Sequence, residues 1–286
     1  MISPSEVKYI VAVSGGVDSV VLLDMLSKKH PDLIVAHFDH GVREDSADDA
    51  VFVGQLAARY GLRFETKREE LGKGVSEAMA RQRRYEFLRT VARQYKAKII
   101  TAHHADDVIE TIAINLIRGT GWRGLAVLDN PEIIRPLLGV TKKELITYAQ
   151  ANHLNWHEDS TNTSDRYLRN RLRKKLAAID DDTRRQLLAL RDHEVYVKKM
   201  IDDEITALIT PGLDERYFFI TAPPRVSLEL LRAECVRICG KSPLTAQLQR
   251  ALLAIKTAAA GTRHDVGDGV YLEFTRTNFI VKASDR

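Results

Sequence analysis

Ser14-Gly15-Gly16-Val17-Asp18-Ser19 follows an apolar run, Tyr9-Ile10-Val11-Ala12-Val13, and precedes Val20-Val21-Leu22-Leu23-Asp24-Met25-Leu26. The run reads as a buried strand, and the residues after the glycines keep helical spacing. A strand that turns through two glycines into a helix N-terminus makes an anion site. The glycines admit a ligand close to the backbone, the amides point outward, and the helix dipole favours negative charge. Ser14 and Ser19 add hydroxyl donors. Asp18 would repel phosphate unless it caps the helix or helps to hold Mg²⁺ against the phosphates. A plain glycine turn with Ser and Asp caps explains the same residues, and neither G-x-G-x-x-G nor G-K-[ST] occurs here.

A second apolar run, Leu33-Ile34-Val35-Ala36-His37-Phe38, makes a βαβ unit with the first and so predicts a parallel sheet. His37, Asp39, His40 and Arg43 stand at its carboxyl end, where open α/β sheets bind ligands. Two His and one acid could suggest a metal. No Cys or His cluster completes a zinc set, so nucleotide or RNA contacts are favoured, with simple loop polarity open for each residue. After Asp45-Ser46 a helix is expected to Tyr60, with Val51, Val53, Leu56 and Ala57 inward and Gly61 as its stop. Leu62–Thr66 is a third strand candidate and Gly72-Lys73-Gly74 a flexible turn. Ser76 opens a helix to about Tyr95, rich in arginine. Its Arg81 and Arg84 share one face and could grip a phosphate together, although such runs are usually solvated.

Lys98-Ile99-Ile100-Thr101-Ala102 is a fourth strand, and His103-His104-Ala105-Asp106-Asp107-Val108-Ile109-Glu110-Thr111 follows it. Ile109, Ile112, Ala113, Leu116 and Ile117 mark the apolar side of the next helix. Asp107, Glu110 and Thr111 line one face at its start. Capping needs one acid. Three acids and two histidines exceed that need and fit a site for a cation, Mg²⁺ or an amine substrate. Arg118-Gly119-Thr120-Gly121-Trp122-Arg123-Gly124 suits phosphates and base stacking, and equally a turn. Ile133–Leu138 reads as an edge strand, Thr141–Glu144 as a capping box for a helix to about Asn152, and Leu154–Asn162 as irregular. In Arg166–Leu176 six basic residues and no acid fall on one short helix, with an aromatic among arginines. Leu168, Leu172 and Leu176, with Lys175, mark its inner side, and its composition suits RNA.

From Asp180 the character changes. Residues 183–209 and 227–260 read as helical, Pro211-Gly212 and Pro223-Pro224 as breaks, and the tail as two or three short strands. The expectation is two domains, 1–180 and 181–286, the first an α/β doubly wound, mostly parallel sheet. The second is a smaller helical domain that ends in a short β-hairpin and serves as support or docking. In 286 residues, 44% hydrophobic and 29% charged, no run approaches a membrane span and no secretory leader is visible, so a cytoplasmic protein is expected. Cys235 and Cys239 suit one helix face as core thiols. A net charge of +4 is a mild hint of a polyanionic partner.

SGGVDS after a strand resembles the pyrophosphate loop of the N-type ATP pyrophosphatases. SGGVDS, HFDHGVR, the Ala80–Leu88 stretch, HHADDVIET, RGTGWRG, RPLL and EDSTN…YLRNRLR, in that order, resemble the tRNA(Ile)-lysidine synthetase family over about the first 180 residues. The tail is similar to that family's first C-terminal domain. The resemblance implies an adenine nucleotide alpha hydrolase-like fold and a two-step ligation. ATP adenylates the wobble cytidine of an isoleucine tRNA with a CAU anticodon, and lysine then displaces AMP to give lysidine. It implies ATP on Ser14, Gly15, Gly16, Val17, Asp18, Ser19 and His37, with Asp18 near Mg²⁺. Asp107 and Glu110 would take the lysine ammonium or its proton. Arg81 and Arg84 would hold the cytidine or stabilise developing charge. Arg118, Arg123, Arg169, Arg171, Arg173 and Lys174 would contact tRNA. A homodimer is left open.

Three rivals remain at this point. A tRNA cytidine 2-thiolase would carry Cys-x-x-Cys pairs, which are absent. A small-molecule amidating synthetase needs an ammonia source, and no glutaminase region is seen. A non-catalytic RNA-binding module would be expected to have lost the loop or the acids, and both are intact by residue type.

Overall fold

The computed structural model describes residues 7–30, 32–41, 46–72, 74–157, 168–176, 178–209, 214–240 and 242–284. Arg43, Asp45, Lys73, Glu158–Asn162, Arg166, Tyr167, Pro211 and Gly212, singled out above, lie outside the described residues. The chain divides into two compact units, residues 1–117 with 127–191, and residues 118–126 with 192–286.

The first unit is built on β1 (Tyr9–Ala12), β2 (Ile34–Asp39), β3 (Arg63–Arg68), β4 (Lys98–Ile100) and β5 (Ile133–Ile134), all parallel and ordered β3-β2-β1-β4-β5. Side chains alternate across a strand. Val11, Val35 and Ile100 therefore face one core with α1 (Val17–Ser27), α2 (Ser46–Arg59) and α5 (Lys142–Ala151). Ile10, Ile34, Ile99 and Ile133 face the other with α3 (Glu77–Tyr95), through Tyr85, Leu88 and Val91. Continuous apolar strands are what a sheet covered on both faces requires. The α4 helix (Ala105–Ile117) follows β4, while α6 (Leu168–Leu176) lies against α4.

Helix periodicity misplaces some side chains. Val51 is exposed, whereas Phe52 packs on the core beside Val53. Leu116 and Ile117 are exposed at the end of α4, whose buried side is Val108, Ile109 and Ile112. In α6, Lys175 is exposed. The fifth strand keeps only two residues before Arg135-Pro136.

The α7 helix (Asp181–Leu208) contributes its first residues, through Arg191, to the first unit and the rest to the second. The second unit adds α8 (Arg216–Thr221), α9 (Pro224–Cys239), α10 (Thr245–Thr257), and β6 (Arg263–Gly267), β7 (Val270–Phe274) and β8 (Phe279–Ala283). The helical run expected over 227–260 is two helices, because Gly240 takes φ 71° and caps α9. The final hairpin is part of a three-stranded antiparallel meander. Nothing in the sequence pattern anticipates the short α8. Its Arg216 is buried and donates to the carbonyls of Ile255, Ala258 and Thr275 at 2.7, 2.7 and 3.1 Å. Cys235 is buried and Cys239 half-buried, both free thiols. Burial pushes the Cys235 thiol up to about 12. Among the described residues no helix is long and apolar enough to cross a membrane.

A buried acid ties the helices beneath the first glycine turn. Asp24 of α1, 4% exposed, accepts from Tyr60 Oη, Tyr148 Oη and Lys28 Nζ, each at 2.7 Å. Burial raises its pKa, but these three donors outweigh burial and hold it below the usual carboxylate value. A depressed value contributes stability above the unfolded pKa of about 3.9, lost as pH falls through the folded one. Asp24→Asn should therefore cost on the order of 2 kcal/mol at pH 7. Denaturant melts should show the wild-type advantage at pH 7 and its decline as pH falls below the ordinary carboxylate value; equal stability at pH 7 would exclude this role.

Candidate active site

The turn after β1 is fixed by its own side chains. Gly15 takes φ 95°, a conformation that L residues rarely adopt. Ser19 Oγ donates to Gly16 O at 2.8 Å and accepts from Ser14 N at 3.2 Å, so the hydroxyls hold the loop open around the first turn of α1. Val17 and Ser19 are buried, and Asp18 projects at 27% exposure. His157 closes the other side: its N–H donates to Gly15 O at 3.0 Å, its ring stacks on Phe52, and its Nδ1 lies 2.7 Å from Asp49. Behind the turn, His37 Nδ1 donates to Val13 O at 2.8 Å. That bond fixes the tautomer, because a carbonyl can only accept, and it leaves Nε2 a buried acceptor without a partner among the described residues.

The loop after β4 reaches the same place. His104 Nε2 lies 3.7 Å from both Asp18 and Asp107, and Nδ1 lies 3.5 Å from Asp106. Burial opposes charge on His104, but the three carboxylates prevail and raise its pKa above the ordinary imidazole value. Its neighbour goes the other way. Burial pushes His103 well down, Arg81, Arg135 and Arg84 push it further, and Asp107 opposes them. Adjacent imidazoles, one neutral and one favouring charge, are the pattern of groups set for different proton tasks. His103 Nδ1 shares a hydrogen bond with Thr101 Oγ1 at 2.8 Å.

The acids are partly spent on structure. Asp107 Oδ2 accepts from His104 N at 3.0 Å, a capping bond at the start of α4. Asp106 accepts from Lys142 N at 2.7 Å and pairs with Arg184. Despite burial, both carboxyls lie below their usual range, Asp106 through His104, Lys142 N and Arg184, and Asp107 chiefly through His104 and its backbone N–H. Glu110 is 2% exposed and is taken by α6. Arg169 Nε reaches Oε2 at 3.0 Å, and Arg173 Nε reaches Oε1 at 2.6 Å. Arg169 and Arg173, one helical turn apart, thus both reach Glu110, Arg169 half-buried and Arg173 exposed, and Arg171 and Lys174 are exposed.

Three arginines, Arg81, Arg84 and Arg135, act on His103. The guanidiniums of Arg81 and Arg84 lie over the Tyr85 ring, 5.1 and 5.5 Å from its centre. Arg135 Nη1 donates to Leu128 O at 2.9 Å. Tyr85 Oη is buried between the Arg84 and Arg135 guanidiniums, and burial pulls the pKa of both arginines down. Of the remaining basic residues, Arg118 is exposed, while Arg123 pairs with Asp202 at 2.7 Å and Glu229 at 2.8 Å, all within the second unit. Lys142 and His157 went unremarked in the sequence. Lys142 was hidden inside a capping-box signal and His157 inside an irregular polar stretch.

A metal ion would find a partial set. Among the described residues no three His, Cys, Asp or Glu side chains form a metal-holding group. Asp18 offers one carboxylate, which fits Mg²⁺ only in the mode where nucleotide phosphates and water complete the shell.

Residues 2–179 match the model of the PP-loop domain, and the chain belongs to that family. Among curated relatives, the tRNA(Ile)-lysidine synthase of Exiguobacterium sibiricum is 41% identical over 174 residues, 58% of this chain and 42% of that protein. The protein of the same name from Bacteroides thetaiotaomicron is 37% identical over 222 residues, 71% of this chain and 52% of that one. The one from Thermus thermophilus is 33% identical over 277 residues, 91% and 54% respectively. The chain spans about half the length of these curated relatives. Among solved structures, the U34-tRNA thiolase NcsA from Methanococcus maripaludis, with its 4Fe–4S cluster, is similar in fold at TM-score 0.56 and 19% identity, over 66% of this chain and 73% of that one.

The Glu110 pair makes its own prediction. Removing Glu110 leaves guanidiniums that are 24% and 43% exposed, so the loss is that of the charged hydrogen bonds, about 1.5–3 kcal/mol. Glu110→Ala should release α6 from α4, seen as faster amide exchange across 168–176 with little change in β1 and β4. Unchanged exchange in α6 would show that Glu110 does not hold it.

Proposed function

We propose that this chain is an ATP-dependent ligase that joins lysine to the 2-position of the wobble cytidine in an isoleucine tRNA with a CAU anticodon, through an adenylated cytidine. The observation that carries this reading is His104, which places the phosphate turn and the Asp106–Asp107 acids within 3.7 Å of one imidazole. An activating nucleotide and a cationic amine would then meet at one sheet edge. The shared name of the relatives supports the particular substrates.

The 2-carbonyl oxygen of cytidine is a weak nucleophile and needs ATP to activate it. The amides and hydroxyls of Ser14–Ser19 would cradle the departing pyrophosphate. Mg²⁺, when bound, neutralises phosphate charge, with Asp18 as its protein ligand. His37 Nε2, a buried acceptor, suits a donor on the nucleotide or base. Arg81 and Arg84 would stabilise charge that develops on the cytidine. In the second step Asp107, kept ionised, would hold the lysine ammonium, or take its proton as general base. Glu110 would act through α6 by fixing Arg169 and Arg173, while Arg171 and Lys174, facing outward, would meet tRNA phosphates. Arg118 and Arg123 are proposed as tRNA contacts of the second unit, which would support docking. A division at 1–180 and 181–286 would assign the chemistry to the first part.

The thiolase rival is not favoured: the chain has two cysteines, spaced Cys-x-x-x-Cys in the second unit, one of them buried.

The half-reactions separate the roles. Asp18→Ala should abolish tRNA-dependent pyrophosphate release, by at least about 100-fold. Asp107→Ala should keep pyrophosphate release near wild type with lysine omitted, yet raise the lysine concentration needed for product at least about tenfold. Pyrophosphate release unaffected by Asp18→Ala, or a normal lysine dependence in Asp107→Ala, would overturn the respective role.

A further inference from the structure

Gly15 and Gly16 stand side by side in the phosphate turn. A peptide between two glycines flips easily, because neither residue has a Cβ to oppose the change of ψ before it and of φ after it. In a trans peptide the carbonyl and the following N–H point in opposite directions. The orientation of this one peptide therefore decides what the turn presents at its mouth. An amide N–H suits an anion, and a carbonyl oxygen repels one.

The first orientation is held from outside the turn. Gly15 is buried, and its carbonyl accepts from His157 N at 3.0 Å. The N–H of Gly16 consequently points to the other side, toward the hydroxyl of exposed Ser14, 3.4 Å away. The next peptide is fixed by α1 itself, since Gly16 O accepts from Ser19 N and Val20 N at 3.1 Å each. His157 is in turn clamped by α2. Its ring stacks on Phe52 with centroids 4.3 Å apart and planes 24° from parallel, and its Nδ1 lies 2.7 Å from Asp49 Oδ1. The same helix backs the glycine: a Cβ on Gly15 would lie 3.6 Å from the Phe52 ring and 3.7 Å from Val53. One helix thus sets both sides of the bond, the donor segment and the acceptor glycine.

We infer that His157 is a positioning residue that locks the Gly15–Gly16 peptide with its amide toward the phosphate site. The inference rests on the nucleotide reading of the turn. The side chain acts through its own backbone. The Phe52 stack and the Asp49 bond hold residue 157 where its N–H meets Gly15 O, and that bond opposes the flip. The lock is closed in the ligand-free protein, so a phosphate need not order the turn as it binds.

The test reads the peptide and the ligand separately. In ligand-free H157A, amide-nitrogen relaxation dispersion should show microsecond-to-millisecond exchange at Gly16, where the wild type shows none. The exchange should vanish in H157A/G16A, because φ −73° at Gly16 suits alanine, whereas the flipped peptide needs a positive φ there. By calorimetry, inorganic pyrophosphate and ATP should bind H157A at least about tenfold more weakly, with adenosine unchanged. H157F, which keeps the stack, should restore most of that affinity. A histidine that merely filled space would move neither the Gly16 amide nor the ratio of pyrophosphate to adenosine binding. If H157A binds pyrophosphate as the wild type does, if its Gly16 amide stays free of exchange, or if the exchange persists in H157A/G16A, the assignment is wrong and the nucleotide reading stands. If the wild type binds neither ATP nor pyrophosphate, the nucleotide reading fails and takes this inference with it.

Discussion

The parallel pairing of β1 with β4, through Ile10–Ile99 and Val11–Ile100, is the constraint on which the site depends. The chain leaves β1 and moves outward through β2 and β3, then returns past β1 to β4. The strand order reverses there, and such a reversal opens a crevice at the carboxyl ends of the two central strands. The glycine turn leaves one wall of that crevice and the His103–Asp107 loop leaves the other. Everything else serves this juxtaposition: Asp24 ties α1 to α2 and α5 beneath it, and His157 braces Gly15 from the side.

Charge in the crevice is sorted rather than summed. Asp18, Asp106 and Asp107 surround His104, while Arg81, Arg84 and Arg135 press on His103. Two adjacent imidazoles are thereby driven apart in proton affinity by their surroundings alone. The three carboxylates stay close despite their mutual repulsion, because each also has a fixed partner: Lys142 for Asp18, Arg184 for Asp106, a capping amide for Asp107. A site arranged in this way offers a polyanion and a cation separate places within a few ångströms, as activation of one substrate followed by attack of an amine requires.

The parts legible in the sequence were those encoded locally. Two glycines between an apolar run and a helical one announce the turn, and four apolar runs with intervening helices announce the sheet. The acids after β4 stood out because capping does not need so many. What stayed hidden depends on partners far along the chain. Glu110 looks like a free ligand until residues 59 and 63 positions later close on it. Lys142 looks like a helix start until its head group meets Asp18, 124 positions earlier. The same blindness misplaced Val51 and Phe52, since a period fixes which residues share a face but not which face the sheet selects. Arg216 was invisible for a related reason: a buried arginine is stable only with carbonyl acceptors from helix ends and a strand end that the sequence does not bring together.

The central claim is that one crevice activates a wobble cytidine with ATP and then delivers lysine to it. The most direct measurement is transfer of radiolabelled lysine into unmodified isoleucine tRNA with a CAU anticodon, with and without ATP. The account predicts acid-stable labelling that needs ATP and disappears when the wobble cytidine is replaced. Consumption of ATP with tRNA but no transfer of lysine would contradict the amine assignment, and absence of both would contradict the account as a whole.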